Sequence, residues 1–78
     1  MTLEQQSAEA KSARLLDLYA RFISGQTLNK QDLASEYGVT TRSIQRDMES
    51  LRCFLMEKGL SQEIIYDRRH GGYRMVSS

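Results

Sequence analysis

Five of the six residues in TRSIQR, Thr41 to Arg46, carry side chains that make directional polar contacts. Arginine pairs bidentately with guanine, glutamine with adenine, and hydroxyls donate to phosphate. Thr41, Arg42, Ser43, Gln45 and Arg46 therefore form one candidate contact set. A second lies in YDRRHGGY, where Arg68, Arg69 and His70 stand together and could neutralise phosphate. His70 has no cysteine or histidine neighbour, so metal ligation is not expected. Catalysis is not expected either. The one histidine and the one cysteine, Cys53, fall on different segments, with no glycine-rich phosphate loop and no carboxylate pair in a plausible pocket. The chain reads as a non-enzyme without a cofactor.

The first set must be held by a helix. With Ile44 as the zero direction, Met48, Leu51 and Leu55 fall within about 40° of it at 100° per residue. Arg42, Gln45, Arg46, Glu49 and Cys53 lie roughly 100° or more away. The residues from Thr41 to about 58 thus form an amphipathic helix, capped by Thr40 and stopped by Gly59. Any amphipathic helix has a polar face, and most such faces are only solvated. Here the base- and phosphate-reading types cluster in the first two turns, where free backbone N–H groups also favour an anion. Asp47 stands on the flank, about 60° from the core direction. The expectation for it is structural, a partly buried carboxylate tied to a basic group or a backbone donor.

The elements before and after complete the frame. Residues 1–8 are mostly polar and read as a flexible lead-in. A first helix spans about 9–24, with Leu15, Leu18 or Tyr19, and Phe22 on its apolar stripe and Leu16 and Ile23 widening it. Asn29 caps a second, short helix over about 30–37, ended by Gly38. Only Val39 separates Gly38 from Thr40, and so short a turn fixes the two helices at a steep angle, the helix-turn-helix arrangement. After Gly59 the apolar period becomes two, giving a hairpin over about 62–76 with the basic residues at its tip. Tyr66 and Tyr73 flank that tip as a cross-strand pair. The clustered like charges between them have no stabilising purpose in the hairpin itself. Thr27-Leu28 could add a third short strand. The fold class is mainly α with a small β-hairpin: a winged helix-turn-helix of three helices and a two- or three-stranded wing, occupying 9–78.

At 78 residues the chain has room for one small core, and a chain this short buries only about 60% of its unfolded surface. A deep enzyme pocket does not fit, whereas a recognition module does. Net charge is +1, too small to announce a nucleic-acid partner. Its distribution is uneven: residues 1–39 carry four basic and five acidic side chains, and 40–78 carry seven and five, so the excess accompanies the candidate contacts. A single cysteine allows no internal disulfide. No apolar run suits a membrane span and no signal peptide opens the chain. The expectation is a cytoplasmic protein without a membrane partner.

LASEYGVTTRSIQRDMESL, Leu33 to Leu51, resembles the N-terminal DNA-binding domain of DeoR-type repressors and of regulators carrying a WYL domain. Arg42, Ser43, Ile44, Arg46 and Asp47 agree with that family's pattern, while Met48 replaces the usual Ile or Leu. IIYDRRHGGYRM, Ile64 to Met75, is similar to the family's wing. The resemblance covers about 13–76 and implies a sequence-specific, double-stranded-DNA-binding domain of a transcriptional regulator. It implies the third helix in the major groove, with Thr41, Arg42, Ser43, Gln45 and Arg46 there, and Arg68, Arg69 and His70 on the flanking backbone or minor groove. It further implies a homodimer and a C-terminal effector-sensing domain, if the chain is part of a longer regulator rather than a small protein in its own right. The alternative function is a winged-helix protein-interaction module without DNA binding, for which near-neutral charge speaks.

Overall fold

Ile44, Met48, Leu51 and Leu55 are all buried, and the helix that carries them is the centre of the molecule. The computed structural model describes residues 3–77. In chain order the elements are α1 (Leu3–Ile23), α2 (Lys30–Tyr37), α3 (Thr41–Glu57), β1 (Gln62–Asp67) and β2 (Gly72–Ser77). Three helices and one two-stranded antiparallel hairpin make a winged helix-turn-helix arrangement. Among the described residues no helix is long and apolar enough to cross a membrane.

Helix α1 starts at Leu3, earlier than the polar composition of the first residues suggests. Residues 3–8, read from the sequence as a lead-in, thus belong to the span of α1, and residues 1–2 lie outside the described part. The physical reason is local. Glu4, Gln5, Gln6, Ala8 and Ala10 are good helix formers with no glycine or proline among them, so polarity alone does not break the helix. A second correction concerns the apolar stripe. Leu18 and Phe22 are fully buried, but Leu16 is 72% exposed and Ile23 54%, so neither widens the core. The contact of α1 with the rest is narrower than its apolar face.

Asn29 and Thr40 cap the two helices of the turn through their side chains. Asn29 Oδ1 accepts from Gln31 N at 2.8 Å and Asp32 N at 3.1 Å, and Thr40 Oγ1 accepts from Ser43 N at 3.1 Å. Gly38 takes a left-handed φ of 67°, which lets Val39 N reach back to Ala34 O at 3.0 Å. That closure leaves no slack between α2 and α3, so the N-terminal turn of α3 is aimed by the core beneath it.

The hairpin pairs Gln62 with Ser77 through to Asp67 with Gly72. It is fastened to the helices at Leu28, which exchanges two backbone hydrogen bonds of 2.7 Å with Tyr73. The third strand is thus reduced to one antiparallel bridge. Gly72 is required here: a Cβ on it would stand 2.7 Å from the Leu28 carbonyl oxygen. Leu28 and Ile64 join Leu33 and the α3 stripe in the core.

Candidate nucleic-acid interface

Asp47 decides which way α3 faces. Its side chain is fully buried, and both carboxylate oxygens accept from the Arg14 guanidinium of α1: Oδ2 from Nε, and Oδ1 from the terminal nitrogen at 3.1 Å. The hydrogen bond to Asp47 raises the Arg14 pKa, so the guanidinium stays charged. A buried ion pair is stable only when both members are present and well oriented. Here it pins one flank of α3 against α1, as the sequence position of Asp47 suggested.

The opposite side of the first two turns faces outward. Thr41, Arg42 and Arg46 are exposed, and neither arginine makes a side-chain hydrogen bond or ion pair among the described residues. Ser43 is half-buried in the cap, its Oγ accepting from the Thr40 hydroxyl at 3.2 Å. Gln45 is also half-buried and is already engaged, for its Oε1 accepts from Lys30 Nζ at 3.0 Å. Glu49, one turn further on, is exposed.

At the wing the tip residues divide. Arg68 and Arg69 project side chains without a partner among the described residues. His70 is exposed yet tied down, with Nδ1 2.7 Å from Asp67 Oδ2. Asp67 is the organiser of the loop. Its Oδ1 accepts from the backbone N–H groups of Arg69 (2.9 Å) and His70 (3.3 Å), and Oδ2 also accepts from Arg74 Nε at 2.9 Å. The hydrogen bond from the His70 ring, followed by the backbone and Arg74 bonds, lowers the Asp67 pKa to about 2. Within the loop His70 thus has a hydrogen-bonding partner, Asp67, that the reading of the tip as clustered like charges did not provide for.

The two candidate sets are joined by residues whose role the sequence alone does not reveal. Lys30 Nζ stands 5.7 Å from the centroid of the Tyr73 ring while it holds Gln45, linking α2, α3 and β2 at one point. Arg52 of α3 lies 5.9 Å from the same ring and donates to the Ile64 carbonyl. Both distances suit a cation–π contact. Tyr73 meets Tyr66 edge-to-face at 5.0 Å. Asn29 adds a further tie, donating from Nδ2 to Gly71 O at 3.0 Å. A sequence signal for Lys30 does exist: a lysine opening a helix opposes the helix dipole, which points to a compensating partner elsewhere. For Asp67 the signal is an aspartate immediately before a loop, where it caps backbone N–H groups.

The arrangement presents donors and positive charge on a helix end and a loop tip held in fixed relation by a shared aromatic residue. Among the described residues no group of three or more His, Cys, Asp or Glu gathers as a metal site would require. Over residues 14–74 the chain matches a family described as an HTH domain. No curated protein and no solved structure matches it.

Proposed function

The chain belongs to the HTH domain family, a family of DNA-binding domains, and we propose that it binds double-stranded DNA sequence-specifically as part of a transcriptional regulator. In this reading the N-terminal turns of α3 enter the major groove, with Thr41, Arg42, Ser43, Gln45 and Arg46 at base edges and phosphates. Arg68, Arg69 and His70 lie on the flanking backbone or minor groove. One observation carries the reading: α3 buries and pairs its aspartate while leaving Arg42 and Arg46 exposed on the other side, without a partner among the described residues. Two exposed arginines at a helix N-terminus, where free backbone N–H groups also favour an anion, are placed to meet phosphate.

The LASEYGVTTRSIQRDMESL motif and the HGGYRM end of the wing support the finer placement among DeoR-type or WYL-containing regulators. With it come a homodimer, which would set the spacing of two half-sites, and a following effector domain. A protein-interaction module is the second reading, favoured by an apolar groove of about 280 Å³ between α1 and α3, lined by Leu15, Leu16, Tyr19, Leu51 and Phe54. A salt titration separates the two. Neutralising several phosphates makes the logarithm of duplex affinity fall linearly with the logarithm of salt. Binding that is weak and indifferent to salt would reject the DNA reading.

A further inference from the structure

Gln45 does not face a partner freely, because Lys30 holds one end of its amide. An ammonium group carries donors and no acceptor. The atom of Gln45 turned to Lys30 Nζ, 3.0 Å away, is therefore the carbonyl oxygen. The NH₂ end is left for another partner, and Gln45 is only half-buried. Lys30 is in turn fixed by the Tyr73 ring and by its place at the start of α2, just after the Asn29 cap.

We propose that Lys30 is a positioning residue for Gln45 and sets the base that Gln45 reads. The inference rests on the placement of α3 in the major groove. Glutamine recognises adenine by accepting from N6 and donating to N7, which requires both ends of the amide at one base edge. Lys30 takes one of the two lone pairs of the Gln45 oxygen, and the Gln45 NH₂ together with the remaining Lys30 N–H groups makes the pair as a whole rich in donors. Of the four bases, guanine presents two adjacent acceptors there, N7 and O6. The Lys30–Gln45 pair thus selects guanine where an unrestrained glutamine would select adenine. Because Lys30 also packs on Tyr73, the seating of the wing bears on the orientation of the reading amide.

The test is selection from a randomised duplex pool with the wild-type chain, Gln45→Ala and Lys30→Met, each checked for folding by circular dichroism. Gln45→Ala identifies the base position that loses its preference. At that position the wild type is expected to favour guanine, and Lys30→Met to favour adenine, a swing of about tenfold. An adenine preference in the wild type, or a Lys30→Met profile unchanged in shape with affinity lowered for every sequence, overturns the inference and leaves DNA binding by α3 intact. A wild-type chain that enriches no sequence overturns both. A measurement without DNA tests the pair independently. ¹⁵N relaxation of the Gln45 side-chain NH₂ is expected to report an ordered group that becomes mobile in Lys30→Met, and equal mobility in both contradicts the proposal.

Discussion

Helix α3 and the wing both set arginines beside an aspartate, and they use the aspartate differently. In α3, Asp47 is fully buried and spends its charge on Arg14 from another helix. In the wing, Asp67 is only partly buried and directs its charge to its own loop, to backbone N–H groups, His70 and Arg74. The first contact spans 33 positions of sequence and orients an entire element. The second spans two to seven and shapes a tip. Each leaves a pair of arginines unpartnered among the described residues, Arg42 and Arg46 in one case and Arg68 and Arg69 in the other. Aim on α3 is therefore a property of the whole fold, whereas aim at the wing is a property of one turn.

The largest effect should come from breaking the α3 brace. Arg14→Ala leaves Asp47 buried without its partner, at a cost of about 3–5 kcal/mol. For a domain of this size, whose total stability is about 4–12 kcal/mol, urea denaturation should show a midpoint lowered by a large fraction or no folded baseline. Replacing both members with apolar residues, Arg14→Met with Asp47→Leu, should recover most of the loss. If Arg14→Ala unfolds at the same urea concentration as the parent, Asp47 is not the brace.

Next in size is the contrast between the two arginine pairs. Arg42→Ala or Arg46→Ala should cost about 1–3 kcal/mol at the preferred site and blur discrimination there. Arg68→Ala combined with Arg69→Ala should weaken all sequences alike and reduce the salt slope by about 2, roughly one for each lost phosphate contact. Isothermal titration at several salt concentrations distinguishes them. Equal behaviour of the two sets would erase the distinction between reading helix and supporting wing.

The smallest effect concerns acid. The Asp67 pKa is lowered in the folded chain from 3.8 to about 2, so its contribution is present above about pH 4 and lost as pH falls towards 2. Over that window the NMR signals of Arg69 and His70 amides should shift while those of the α3 core do not. In Asp67→Asn the same amides should already be displaced at neutral pH. A loop that ignores both changes would show that the turn holds without its carboxylate.

How much of this is legible in the sequence follows from the range of each interaction. The caps at Asn29 and Thr40, the Gly38 stop, the α3 core stripe and the Tyr66–Tyr73 pair depend on spacings of a few residues or on strand alternation, and pattern reading recovers them. So does the direction in which Asp47 faces, though not the identity of Arg14 as its partner, 33 positions away. The exposure of Leu16 and Ile23 escapes the pattern because a helix can be apolar over a wider arc than its neighbours cover. Lys30 escapes it for a related reason: its partners Gln45 and Tyr73 come from two later elements. What joins the candidate helix to the candidate wing is thus the least visible part in one dimension.

The central claim is that one surface, the start of α3 with the wing tip, meets DNA. Chemical-shift mapping of the ¹⁵N-labelled chain against duplex DNA at low salt tests it directly. The expected result is a set of perturbed amides confined to Thr41–Arg46 and Arg68–His70, fading as salt is raised. Perturbation centred instead on Leu15, Leu16 and Phe54 of the apolar groove, or none at all, would contradict it.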